Sequence, residues 1–194
     1  MELKGGLYIT PRQLLACGAN PAYIDRYIHW IEFFKNDRRF EINTALRLSH
    51  FLAQLIHESM NFSRVLETGS GERYEGNKKL GNTEPGDGKK YKGRGLIQIT
   101  GRWNYGACQR FFGEPYLERP ELMERDKDAV AVSFWYWRFR KLNAWADKDN
   151  LQKVTSGINA GMDKIDRREK LLTKSKSALT DISQYRNIFP PDVA

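Results

Sequence analysis

The sequence predicts a mainly α-helical domain (α+β class) carrying a small irregular β element. Three observations predict it. Apolar residues recur at helical spacing through most of the chain, cap signals precede those runs, and one long glycine-rich stretch interrupts them while strand signals stay few. With 194 residues the chain has the length of a single domain, 1–194. A domain of that size buries roughly 70% of its unfolded surface, enough for a core without disulfides or metals.

The first helix begins after Thr10, whose hydroxyl can cap it; Pro11 suits the first helical position and Gln13 completes a capping box. Gly18 ends it. Asn20-Pro21 opens a second helix with Tyr23, Tyr27, Ile28, Ile31 and Phe34 at helical spacing, broken by "KNDRRF". Asn43 or Thr44 can cap a third. There Ala45, Leu48, Leu52, Leu55, Ile56 and Ser59 share one face of a 3.6-residue period. This helix closes on "LAQLIHESMNF", so an apolar segment finishes on His57, Glu58 and Ser59. Residues 69–95 then hold eight of the sixteen glycines. Turn chemistry dominates there, yet Tyr74, Leu80, Tyr91 and the apolar run after Gly95 predict an ordered binding loop. Beyond it "RWNYGACQRFF" stops at Gly113. "DAVAVSFWYWRFRKLNAWAD" reads as a core helix with Arg138, Arg140 and Lys141 on its wet side. "NLQKVTSGINAG" ends in a turn, and "DKIDRREKLLTKSKSALTDI" is the last helix. Its "LLTKSKSALTDI" segment also fits a basic amphipathic helix lying on a membrane.

Composition narrows the function classes. The formal charge of +8 and pI near 9.5 draw the protein to polyanions: nucleic acid, anionic lipid or an acidic wall. No nucleic-acid-binding motif is present, so no nucleic-acid partner is expected. No run approaches the length of a membrane span, and "MELKGGLYIT" lacks the apolar core of a secretory signal. Cys17 and Cys108 form neither a disulfide framework nor a zinc cluster; two free thiols or one disulfide both fit.

The "HES" at the helix end admits three chemistries. A zincin needs His-Glu-x-x-His, but Asn61 stands at the fourth position after His57, and His29 and His50 offer no ligand spacing. No metal or other cofactor is expected. The glycine-rich loop lacks the phosphate-loop and dinucleotide spacings, and "NTEPGDG" lacks the alternating carboxylates of a calcium loop. Paired carboxylates remain. Desolvation and the helix dipole are both expected to favour the protonated form of Glu58, as a general acid requires. Glu67, nine residues on and at the entrance to the loop, would stay ionised in a wet groove and activate water. Two carboxyls in unlike settings suit glycoside hydrolysis.

"AQLIHES", "LETGSGERYEGNKKLGNTEPGDGKKYKGRGLIQITGRWNYG" and "SGINAGMDKIDRREKL" together resemble glycoside hydrolase family 19, the family of plant and bacterial chitinases and many phage endolysins. The phage type is the nearest in pattern. The likeness runs from about Thr10 to Leu172. It implies a lysozyme-like fold, two helical lobes around a cleft, and inversion at the anomeric carbon. It also implies roles: Glu58 the general acid, Glu67 the general base, and Thr100 a holder of the attacking water. Gln98, Asn104 and Asn159 would line the substrate groove, with Ala160 standing where the family has glycine. Arg167 matches an arginine that organises the acidic site, with Arg168 its rival by one register step. His57 fits a place beside Glu58, and Tyr91 in the loop is counted with the substrate-binding residues.

The active-site motif serves chitin and peptidoglycan alike, since both contain β-1,4-linked N-acetylhexosamines. The basic charge and the absence of a recognised leader or cysteine-rich chitin-binding module favour peptidoglycan. The expectation is a monomeric endolysin that accumulates in the host cytoplasm and acts on the periplasmic wall after release through a holin, with electrostatic contact to an anionic outer membrane. A chitinase is the alternative, and a cationic wall- or membrane-binding protein without catalysis is the alternative from another class.

Overall fold

The computed structural model describes residues 8–180. Among them the α-helices are α1 (Pro11–Ala16), α2 (Pro21–Lys35), α3 (Ala45–Glu58), α4 (Asp87–Lys90), α5 (Arg102–Phe112), α6 (Asp126–Phe139), α7 (Asn143–Ala146), α8 (Leu151–Ile158) and α9 (Ile165–Thr180). The β element reduces to two antiparallel bridges, Leu66 with Arg94 and Arg94 with Ile99. The capping box at Thr10 and Gln13 forms as the sequence predicts. Of the two candidate caps for α3 it is Thr44, whose hydroxyl accepts the Arg47 N–H at 3.1 Å.

α3 is the axis of the helical lobe. Every residue from Leu48 to His57 is buried, far more than the one apolar stripe read from the sequence, because α9, α7 and α8 all pack on it. On its other flank Phe51 meets Phe134 of α6 at 4.4 Å between ring centres and Trp137 edge-on at 5.4 Å. Burial of each such ring contributes roughly 1.5–3 kcal/mol. The membrane-helix reading of "LLTKSKSALTDI" needs correction. Leu171, Leu172, Ser175 and Leu179 are buried where α9 lies on α3 and α1, so the apolar face is taken up by the core. Asp181 and Ile182 of that stretch lie outside the described residues. Cys17 and Cys108 are buried free thiols.

Where α3 ends, Met60, Asn61 and Phe62 all take positive φ, at 51°, 61° and 72°. Three successive non-glycine residues in this region cost about 1–2 kcal/mol each. Two features offset that cost. The Ser59 hydroxyl donates to Leu55 O and accepts from Phe62 N–H, and Phe62 is fully buried edge-on to Tyr27. The tight exit turns the chain away at once and leaves Glu58 at the helix tip.

The glycine-rich loop is ordered by buried polar anchors. Asp87 accepts the N–H groups of Thr83 and Glu84 and a two-pronged bond from Arg102 at 2.7 and 2.6 Å. Asn82, also buried, joins Tyr74 O to the Arg102 N–H. Glu75 receives the N–H groups of Gly86 and Gly88. Gly71 must be glycine: its φ is 86°, and a Cβ there would lie 2.4 Å from Gly88 O. Since Asp87 gathers four donors in one buried place, Asp87→Ala should destabilise the protein by about 2–4 kcal/mol in urea unfolding. A loss below ~0.5 kcal/mol would mean that the loop holds without this anchor.

Candidate active site

Glu58 and Glu67 face one cleft of about 690 Å³. Glu58 comes from the tip of α3. Glu67 comes from the bridged segment, where its backbone N–H donates to Gly93 O at 2.9 Å. Gln98, Thr100 and Asn159 line the same cleft, as the sequence predicts, with Ile97 and Ile158 as its apolar wall.

The two carboxyls are held differently. Arg168 Nη2 donates to Glu58 Oε1 at 2.6 Å, and Arg168 Nη1 donates to Gln54 Oε1. Arg168 Nε reaches Asp163 O at 3.1 Å, and Gln54 Nε2 continues the network to Thr155 Oγ1 at 3.0 Å. The guanidinium is buried. Glu58 therefore does not stand alone at a dry helix end, as its apolar helix suggests; a buried cation pairs with it. The arginine that pairs with Glu58 is Arg168, not Arg167. One step earlier on α9, Arg167 points elsewhere, and its Nη2 donates to Asn61 Oδ1 at 2.6 Å, bracing the strained exit of α3.

Glu67 is gripped by its own loop. Its Oε1 accepts from Arg73 Nη2 at 2.5 Å and from the Tyr74 hydroxyl at 3.1 Å, and its Oε2 from the Gly93 N–H at 3.0 Å. Three donors converge on this one carboxyl. Sequence reasoning missed Arg73 and Gln54. The only signal for Arg73 is its place in "ERYEG" beside Tyr74; Gln54 sits one turn before Glu58 on α3.

The Thr100 hydroxyl donates to Gln98 O at 2.9 Å, leaving its lone pairs free to accept from a water. Gln98 has φ 59° and donates to Gly95 O, so the segment folds back on itself. Asn159 caps the end of α8 and accepts the Gly161 N–H at 3.0 Å. Besides Arg167, three of the expected substrate-binding residues do not line the cleft. Tyr91 is buried, with its ring 5.2 Å from Tyr105 and its hydroxyl donating to Leu117 O, so it holds the small lobe together. Asn104 sits behind Thr100 and donates to its carbonyl at 2.7 Å. His57 lies beneath the site, and its Nδ1 has no hydrogen-bond partner among the described residues.

Known proteins bear on this geometry. The model of glycoside hydrolase family 19, described as chitinase class I, matches residues 50–158, more than half of the chain, from within α3 to the end of α8. The chain belongs to glycoside hydrolase family 19. Its family 19 relatives include a domain-containing protein of Haemophilus influenzae, 42% identical over 47% of this chain and 44% of the relative. An endochitinase of Arabidopsis thaliana is 38% identical over 69% of this chain and 53% of its own length. The chain thus spans about half the length of the curated relatives it matches. Chitinase C from Streptomyces griseus shares the fold, with TM-score 0.72 at 18% identity over 92% of this chain and 96% of that one. A class IV chitinase from Zea mays superposes with TM-score 0.61 at 16% identity over 89% and 82%.

His57 yields a pH prediction. Burial, then the charges of Arg168 and Arg167, push its pKa down from 6.5 to about 4. Between those values the unfolded chain binds a proton that the folded one refuses. The stability that depends on a neutral His57 is therefore complete above pH 6.5 and lost as pH falls toward 4, by up to about 3 kcal/mol. Urea unfolding from pH 7 to pH 4 should show a smaller acid loss in His57→Leu than in the parent. An equal loss in both would clear His57 of the effect.

Proposed function

We propose that the protein hydrolyses β-1,4 linkages of an N-acetylhexosamine glycan by an inverting acid–base reaction. The observation that carries this reading is the pair of carboxyls on one cleft, each held by a different cation. Arg168 occupies Glu58 Oε1, so Oε2 carries the proton delivered to the glycosidic oxygen. Glu67, with its oxygens oriented by Arg73, Tyr74 and the Gly93 N–H, removes a proton from water. That water donates its second hydrogen to Thr100 Oγ1, whose own proton is spent on Gln98 O, and attacks from the face opposite the leaving group. Glu58→Gln should lower kcat by about 10²–10⁴-fold. Proton NMR of the first product should show the inverted anomer. Retained configuration, or undiminished lysis of permeabilised cells by Glu58→Gln, would sink the mechanism in favour of a double displacement or a cationic membrane disruptor.

The substrate we infer is peptidoglycan, and the biological role is that of an endolysin released from the host cytoplasm to the periplasmic wall late in phage infection. Arg64 supports an anionic glycan. It lines the cleft beside the two carboxyls and makes no ion pair with another described residue, which leaves a cation for the carboxylates that peptidoglycan carries and chitin lacks. The names of the relatives, endochitinase and chitinase, favour chitin as the second reading. Arg64→Gln should lower kcat/KM on purified peptidoglycan about tenfold, the worth of one charged hydrogen bond, and change turnover of N-acetylglucosamine oligomers by less than about twofold. Equal losses on both would remove the argument from Arg64. Reducing ends released from colloidal chitin and none from peptidoglycan would reverse the order of the two substrates.

A further inference from the structure

A second concave surface lies outside the catalytic cleft, where the end of α6, α7 and α8 meet. It is a groove of about 360 Å³ whose lining includes Phe139, Arg140, Lys141, Trp145 and Lys153. Two of its features are not explained by folding. Phe139 and Trp145 keep 44% and 37% of their surface exposed, although each is large and apolar. Three cations line the groove and no carboxylate does.

The rings are fixed rather than loose. Phe139 stacks on Trp135, with centres 5.2 Å apart and planes 6° apart, and lies tilted at 50° to Trp103 at the same centre distance. Trp103 is itself 48% exposed. Trp145 lies beneath the ammonium groups of Lys148 and Lys153, at 5.3 and 5.7 Å from its centre. The Arg140 Nε donates to Gly157 O at 2.9 Å, which ties the groove wall to the end of α8.

That helix end joins the two sites. Gly157 lines the groove, and the next residues, Ile158 and Asn159, line the catalytic cleft. The two concave surfaces therefore adjoin at consecutive residues of the α8 end.

We propose that this groove is a second glycan-binding site, holding a peptidoglycan strand beyond the bond being cut. The proposal rests on the peptidoglycan reading of the cleft. A pyranose ring presents a face of C–H bonds that packs on an aromatic plane, while its hydroxyls stay at the wet rim. Phe139 and Trp145 supply such planes. Arg140, Lys141 and Lys153 complement the lactyl and stem-peptide carboxylates of the strand. A neutral chitin chain would use the rings and leave the cations unmatched. The surface is concave and its rings are recessed among charges, which suits a strand better than a bilayer.

The test is co-sedimentation with purified sacculi, using the Glu58→Gln protein so that nothing is cut. Trp145→Ala and Lys153→Glu should each raise the apparent Kd about tenfold. Arg12→Glu, an exposed cation on α1, is the charge-matched control and should change it less than about twofold. Lys153 is exposed, so its variant keeps the test decisive even where Trp145→Ala weakens folding. Unchanged binding in Lys153→Glu, or an equal loss in Arg12→Glu, would overturn the proposal by leaving only net charge. Equal binding to chitin beads would overturn the anionic class. Tighter binding to vesicles of anionic phospholipid than to sacculi would make the groove a membrane contact. Comparing the parent enzyme's turnover of peptidoglycan and chitin tests the substrate reading separately.

Discussion

The site depends on one buried cation. Arg168 spends its guanidinium on Gln54 and Glu58 of α3 and on the Asp163 carbonyl just before its own helix. A guanidinium this deep is tolerated only when its donors are matched, and removing one partner of a buried pair costs about 3–5 kcal/mol. The bond therefore does two things at once. It fixes where α9 lies on α3, and it fixes which oxygen of Glu58 is left unpaired. The carboxyl of residue 58 is positioned by a residue 110 places later in the chain. Glutamine at position 58 keeps an acceptor for Arg168 but not the opposing charge, so loss of turnover there must be read beside a measured stability.

The second carboxyl obeys a different rule. Glu67 is held by residues 73, 74 and 93, all from the loop that follows it, and that loop stands on Asp87 and Asn82 rather than on a hydrophobic core. Glu58 belongs to the packed helices and Glu67 to a hydrogen-bonded loop. The Leu66–Arg94–Ile99 bridges seat the loop, and they carry Glu67 and Thr100 on their flanks.

Much of this was legible in the residues and part was not, for identifiable reasons. The Thr10 capping box, the helical period of α3 and the turn-rich loop are local signals, and the chain obeys them. The choice between Arg167 and Arg168 is not local. Neighbours on a helix point about 100° apart, so a one-residue slip sends one guanidinium to Glu58 and the other to Asn61. Tyr91 and Asn104 lie within the matching motif yet point into the lobe, since motif membership says nothing of side-chain direction. The expected dry setting of Glu58 failed because burial of a helix tip was inferred from its own helix alone. The α9 face that crosses it cannot be read from residues 45–58.

The distribution of the positive excess bears on what the cleft is for. Several arginines of the described chain are matched at home: Arg26 with Asp126, Arg39 with Asp37, Arg47 with Asp147, Arg94 with Glu124, Arg102 with Asp87 and Arg125 with Asp128. Exposed pairs of this kind add little stability, typically under about 1 kcal/mol, but they cancel charge where they stand. Arg64, Lys141 and Lys153 make no ion pair with another described residue, and all three line concave surfaces on either side of the α8 end. Concave, low-dielectric walls focus the field of unmatched charge onto whatever enters. At those two surfaces the three charges add up locally, while exposed cations such as Arg12 and Arg38 stand elsewhere on the molecule.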